Sequence, residues 1–279
     1  MVLFYQLQDM LAKNNFIFRE FTMLKSLPYV TLLLSSVTLF SASPFAQTTD
    51  KANKVMVPAF SAKYTILRNA KSVGEASRKL SYLDNGLAQY SYHTNIEWLI
   101  FSDVRDETSI VKLEGNKVTP TSYEYKREGT GSDKYYKWTY DTANNTATDE
   151  KKDKTKNIDF PDNFQDSLSY HLQHRLNMIS EPEQKQFVYP VIKSSGSLKN
   201  YVYQYDGEEE IMLPYGLVKT VKFKREVIEK KRVTYVWFAP ELNYLLVKLH
   251  QIKGDVEQFE AQLQSVTPIT PAVAVATAK

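Results

Sequence analysis

The chain of 279 residues has no cysteine. That excludes disulfides, thiolate metal sites, a cysteine nucleophile and a lipid-bearing N-terminal cysteine. Histidine is scarce, with 4 residues, and no Gly-x-Ser-x-Gly nucleophile elbow occurs anywhere in the chain. Charge of one sign is also missing. The 35 Lys+Arg against 32 Asp+Glu leave +3, too little to point to a nucleic-acid partner. What is present is ordinary globular material, 43% hydrophobic and 24% charged, so the composition does not suit a disordered chain. The 19 Tyr and 14 Phe set against 9 Gly lean toward β-structure.

The long apolar run Leu27–Phe40 follows Lys25 and precedes the small-residue stretch Ser41–Ala46. A basic start, a short apolar core and a small-residue end are the layout of a secretory signal peptide. The core is shorter than the ~20 residues a spanning helix needs, so no stable membrane span is expected. Residues 1–46 therefore read as an N-terminal extension and signal peptide, with Met23 the expected start and cleavage after Ala46. Residues 47–57 read as a flexible segment, 58–266 as a single β-rich domain and 267–279 as a disordered tail. The expected location is the periplasm, as a soluble protein. About 200 residues can bury enough surface to fold without disulfides there.

Period-two alternation dominates the domain. Phe60, Ala62, Tyr64, Ile66 and Arg68 share one parity, and turn signals follow at Asn69-Ala70-Lys71, Asp84-Asn85-Gly86 and Glu114-Gly115-Asn116. Asp141–Lys156 is polar and closes on a run of lysines. One segment changes period: Phe164, Leu168, Leu172, Leu176 and Ile179 recur at helical spacing after a candidate cap at Asp162-Asn163. The expectation is an amphipathic helix of ~17 residues with Asp166 in its first turn and Arg175 in its last. Beyond Pro182 the strands resume, with turns at Asp206-Gly207, Pro214-Tyr215-Gly216, Ala239-Pro240 and Lys253-Gly254-Asp255. The fold class is mainly β: a strongly curved antiparallel sheet or half-open barrel of about 11–12 strands, with one long α-helix packed on the concave face.

Three stretches, Phe60–Leu80, Gly207–Arg225 and Val236–Leu249, flank the helix segment Asp166–Leu176. Their order and spacing resemble domain-of-unknown-function family 3108, a group of exported bacterial proteins, over roughly Pro58–Val266. The family has no established activity, so the resemblance implies no catalytic residue. Its general shape, a curved sheet with a helix in the concavity, is similar to that of periplasmic lipoprotein carriers, an analogy of fold that does not imply function.

Chemistry is thinly signalled. His171 and His174, at i and i+3, could offer half a zinc site completed by His93 or His250, but a solvated helix flank accounts for them as well. Glu208-Glu209-Glu210 reads as a solvated hairpin edge before it reads as paired catalytic carboxylates or a calcium site. The lysines of Lys151–Lys156 suit a mobile loop, or attraction to anionic headgroups. Ser167, Ser169 and His171 lie close in sequence, which says little about a triad. No catalytic residue, metal ligand or cofactor is assigned, and the protein is expected not to be an enzyme. The aromatic residues on alternating strand positions carry more signal, as cross-strand packing or as the lining of a site. The candidate ligand-binding residues are Phe164, Leu168 and Leu172 on the helix side and Tyr201, Tyr203 and Trp237 on the sheet, bounding an apolar cavity. The expected function is a non-catalytic binding or envelope-maintenance module for a lipid or other amphipathic small molecule. A structural interaction module for an envelope protein comes second, and a hydrolase of envelope polymers third.

Overall fold

The computed structural model describes residues 57–268. The signal-like segment, the expected cleavage site at Ala46, and the tail from residue 269 lie outside the described residues. Residues just beyond 58–266 take part in the sheet and its packing. Val57 is buried and its carbonyl accepts from the Tyr82 hydroxyl at 2.7 Å. At the other end Thr267 and Pro268 pair with Ser61 and Phe60 in the last strand.

The alternating segments form β1 (Phe60–Arg68), β2 (Lys71–Tyr82), β3 (Ala88–Trp98), β4 (Phe101–Glu114), β5 (Lys117–Gly129) and β6 (Lys134–Asp141). Two short strands, β7 (Thr146–Asp149) and β8 (Lys154–Asn157), occupy the polar stretch that sequence alone leaves without structure. After β9 (Gln165–Asp166) and the helix α1 (Ser169–Ser180) come β10 (Gln186–Ile192), β11 (Leu198–Leu213), β12 (Gly216–Val227), β13 (Arg232–Ala239), β14 (Leu245–Lys253) and β15 (Val256–Pro268). All belong to one 15-stranded sheet, β8-β7-β6-β5-β4-β3-β2-β1-β15-β14-β13-β12-β11-β10-β9. The count exceeds the expected 11–12 because β7, β8 and β9 are too short or too polar to show a period. Asp206-Gly207, expected as a turn, is a bulge inside the continuous β11, where the register against β12 shifts between Tyr205 and Gly207.

The expected residues of β1 do share a face. Phe60, Ala62, Tyr64 and Ile66 are all buried toward the helix. The helix itself is shorter than expected and begins later. Gln165 and Asp166 pair in parallel with Val191 and Ile192 as β9, so Phe164–Leu168 cannot be helical. Asp166 then acts as the cap that Asp162-Asn163 was expected to provide. Its Oδ1 accepts from the backbone N–H of Leu168 at 2.8 Å and of Ser169 at 2.7 Å, and Ser109 Oγ lies 2.7 Å from both carboxylate oxygens.

Nor is α1 amphipathic in the usual sense, because the sheet curls around it. Leu172 and Leu176 pack with Leu80, Val111 and Val118, while Tyr170 and Met178 pack with Phe187, Tyr203, Phe223 and Phe238. Between these two sides the polar residues are buried as well. Gln173 Oε1 accepts from Val118 N at 2.7 Å and its Nε2 donates to Asn116 O at 2.7 Å. Arg175, mid-helix and not in the last turn, donates to the carbonyls of Asn243 at 2.7 Å and Leu242 at 3.0 Å. Each buried polar group that finds such a partner avoids a desolvation penalty of ~1–3 kcal/mol.

Candidate functional site

The helix fills one end of the concavity; the other end is open and differently lined. Strand register sets its rows. Arg78 on β2 stands opposite Tyr92 on β3, which faces Glu107 on β4 and then Tyr125 on β5. One row nearer the open end come Thr94, Arg105 and Arg127. On the opposing wall Arg225 on β12 pairs with Thr234 on β13, which pairs with Gln251 on β14. Tyr201 lies close enough to both Arg225 and Glu107 for their charges to act on its phenol, so the two walls face one another across a lumen. At the mouth is a cavity of about 500 Å³ bounded by Arg68, Trp98, Asp103, Arg105, Arg127 and Arg232.

The guanidinium groups are held in place. Arg225 lies 4.1 Å over the Tyr201 ring, Arg78 lies 5.1 Å over Tyr92 and Arg68 lies 4.3 Å over Trp98. Contact with an aromatic face leaves each guanidinium little side-chain entropy to lose; Arg78 also donates to Tyr90 OH at 3.1 Å, while Arg225 Nε has no protein partner. The acids on this part of the face are Asp103, which accepts from Arg105 and from Arg127 at 2.7 Å, and Glu107, which accepts from Tyr123 OH at 2.8 Å. Burial pushes the Glu107 carboxyl up to about 7, so near neutrality it supplies only part of a charge. Cations therefore outnumber anions. Thr94 Oγ1, Arg225 Nε and Arg232 Nε are buried there without a protein partner, and buried groups of this kind are met by water or a ligand.

The seven arginines among the described residues, Arg68, Arg78, Arg105, Arg127, Arg175, Arg225 and Arg232, all line the concave side, whereas lysines such as Lys63, Lys79 and Lys112 stand exposed. This segregation of arginine from lysine is the signal that pooled charge counting misses. A second depression of about 550 Å³ crosses the outer face of β1–β3, but its walls are exposed side chains such as Lys63, Glu75 and His93.

The residues expected to bound an apolar cavity are placed otherwise. Phe164, Leu168 and Leu172 are buried in contact with the sheet, and the space left between α1 and the sheet near Leu172, Phe60 and Phe238 is about 10 Å³. A void of that size holds at most a single water. The wide sheet closes on the helix with aromatic side chains, so the apolar cavity is corrected to a packed core. Tyr203 belongs to that core beside Tyr170. Tyr201 does reach the lumen. Trp237 does not: its Nε1 donates to Glu209 Oε1 at 2.6 Å, and the Lys222 and Lys248 ammonium groups lie 5.2 and 5.0 Å from its ring, on the face away from the helix.

The histidines do not converge. His171 Nε2 is 3.5 Å from Arg78 Nη2 and so faces the lumen, while His174 Nδ1 is 2.8 Å from Tyr189 OH within the aromatic core. Burial, and then the Arg78 charge, hold His171 well below the usual imidazole range. Burial alone lowers His174 to about 3. His174 is buried and His171 partly buried beside Arg78, so neither lies on a solvated flank. His93 pairs with Asp106 at 2.7 Å and His250 with Glu257 at 3.1 Å, far along other strands. Glu208 and Glu210 are exposed, and Lys154 and Lys156 lie on the exposed edge strand β8.

Fold and site together define a class: a curved, barrel-like antiparallel sheet plugged at one end by a helix and open at the other through an arginine-lined mouth. The chain belongs to the family described as Protein of unknown function (DUF3108), whose model matches residues 61–259, as the sequence resemblance implied. No curated protein matches the chain. A β-barrel-like protein of domain of unknown function DUF1849 from Brucella abortus superimposes with a TM-score of 0.51 at 9% identity, covering 77% of this chain and 99% of that one. That likeness shows the fold alone. A protein from Bacteroides fragilis, assigned as exported and of YmcC-like fold, matches 75% of this chain and 95% of its own length at 10% identity. Its TM-score of 0.30 is too low to carry an argument.

Proposed function

We propose that this is an exported, non-catalytic envelope protein that holds an amphipathic ligand with an anionic headgroup in the open lumen, not beneath the helix. One observation carries the reading. The charges of Arg78 and Arg105 act on Glu107, whose carboxyl burial pushes up to about 7, those of Arg225 and Glu107 act on Tyr201, and Arg225 Nε is a buried donor without a protein partner. Apolar and aromatic neighbours such as Ile66, Ile96 and Phe259 line the adjoining cavity and suit the hydrocarbon part of such a ligand. Recognition is expected to be electrostatic and geometric, because planar guanidinium pairs suit carboxylate or phosphate oxygens.

The test compares a fluorescent fatty acid with an uncharged alcohol of the same chain length. Saturable binding should be seen with the acid. Arg225→Gln should weaken it roughly tenfold, since a charged hydrogen bond is worth ~1.5–3 kcal/mol. Equal binding of the alcohol, or no effect of Arg225→Gln, would remove the anion from the proposal.

The alternative of a strand-adding interaction module is less well supported. The sheet ends at β8, which is four residues long and carries Lys154 and Lys156, and at β9, which is two residues long. Short, lysine-bearing edges discourage pairing with another chain. Export rests on the Lys25–Ala46 pattern. Mass spectrometry of periplasmic extract should find a mature N-terminus near Gln47, and a membrane-embedded species retaining residues 1–46 would contradict it.

A further inference from the structure

The open end of the sheet is formed by hairpin turns, and several of them are apolar where turns are ordinarily polar. Between β3 and β4 the turn is Leu99-Ile100. Both side chains are 85% exposed, and Phe101 beside them is 52% exposed. Leu99 sits at φ +56°, a left-handed conformation that glycine or asparagine adopts at lower cost. The neighbouring turn between β1 and β2 uses Asn69 for the same purpose. The fold therefore gains nothing from leucine at this position, and hydration of Leu99 and Ile100 adds a further cost. At the same end Ile228, in the turn between β12 and β13, is 83% exposed, and Val256 at the start of β15 is 57% exposed.

These turns are close in space. Gly254 N donates to Lys231 O at 2.6 Å, Asn69 N donates to Glu257 Oε1 at 2.6 Å, and Arg68 covers Trp98, whose ring stacks on Phe101 at 6.2 Å. Basic side chains surround the apolar ones. Lys71, Lys230, Lys231 and Lys253 are exposed in these turns, against Glu97, Glu229 and Asp255, and the arginines of the mouth open between them. Apolar tips that project beyond a basic collar match the two layers of an anionic bilayer surface: hydrocarbon at the headgroup boundary and negative charge above it. A globular partner would need a complementary surface with separate apolar pockets for three hairpins. The bilayer needs none.

We infer that the turns carrying Leu99, Ile100, Ile228 and Val256 seat the open end of the sheet on an anionic lipid surface, with Lys230 and Lys231 at headgroup level. The contact is peripheral. No described helix is long and apolar enough to cross a membrane.

The experiment is co-sedimentation of the mature protein with vesicles of phosphatidylglycerol and phosphatidylcholine, and with phosphatidylcholine alone. Binding is expected to the first, at least tenfold weaker to the second, and reduced by raised salt. Leu99→Asp combined with Ile100→Asp should lower binding at least tenfold with an unchanged far-UV spectrum, because both side chains are exposed. Ile228→Asp, on a different hairpin, should also weaken it and guards against a local defect in one turn. Met212→Asp, at an exposed apolar residue of the opposite end of the sheet, should leave vesicle binding within twofold, which shows that the tips and not exposed apolar surface in general seat the protein. Absence of binding to either vesicle, or binding indifferent to Leu99→Asp/Ile100→Asp, overturns the inference. So would a dimer in sedimentation velocity that the same variant dissociates, since a second copy would then cover the tips.

Discussion

Leu172→Ala is expected to destabilise the domain by ~2–5 kcal/mol, the range for buried leucines whose surroundings relax only in part. Leu172 is 1% exposed and packs in the cluster that joins the helix to Leu80, Val111 and Val118. The site cannot collapse easily. The sheet holds its curvature through continuous ladders, and the helix is anchored on both flanks by Gln173 and Arg175 to backbone on opposite sides of the concavity. The midpoint of urea unfolding should fall with an unchanged slope. A loss below ~0.5 kcal/mol would mean that the helix is not the plug of the sheet.

The second large effect is on pH dependence. His174 is enclosed by Phe187, Tyr203, Phe223 and Phe238, with Tyr189 OH as its polar neighbour, and burial depresses its pKa from 6.5 to about 3. An imidazole that is harder to protonate when folded contributes stability that is fully present above pH 6.5 and lost as pH falls toward 3. Two buried carboxyls act in the opposite sense. Glu107 is raised to about 7 and Asp166 to about 6, each chiefly by burial, so the folded state takes up their protons first and gains stability on mild acidification. The wild-type profile between pH 7 and 4.5 should therefore be shallow. His171, lowered by burial and by the Arg78 charge, acts in the same sense as His174, so His174→Phe removes part of one side of this balance. At ~1.4 kcal/mol per pH unit, the stability difference between His174→Phe and wild type should move by roughly 3 kcal/mol in favour of the variant over that interval. Urea titrations across the range would read it. A difference independent of pH would show that His174 titrates normally and is not enclosed.

The strands were legible because burial on one face imposes period two, and Phe60, Ala62, Tyr64 and Ile66 obey it without exception. The leucines of the helix were legible for the same reason. Its starting point was not. Gln165 and Asp166 are drawn into pairing with Val191 and Ile192, a tertiary contact 26 residues away that no local pattern announces. The same holds for β8, whose four residues are all exposed, and for β7, which buries Ala147 and Asp149 but is too short for that alternation to be read. Of the residues expected to bound a site, Tyr201 lies beside Arg225 at the lumen, and Trp237 lies on the other face of the sheet. Three inward-facing side chains on β13, Thr234, Val236 and Phe238, alternate with it and put Trp237 on the opposite face, beside Lys222 and Lys248. The lumen itself left a trace. Arg68 continues the inward parity of β1, and a charged residue in a core register is the mark of an interior that is not wholly apolar. What no single strand could show is that arginines from β2, β4, β5, β12 and β13 meet across one space.

The position of β1 bears on when the protein can fold. The first described strand is central in the sheet, and its partners are β2 and β15, the last described strand; Phe60 pairs with Pro268. The half of the sheet from β2 to β8 and the half from β9 to β14 are joined through that one ladder. Until β15 is free, β1 has a bare edge, and the two walls of the lumen have no fixed relation. Closing a loop of that length against the entropy of the chain makes folding slow compared with proteins of local contacts. The native state thus waits for β15, and a chain emerging from the ribosome stays open and threadable until that strand has been synthesised.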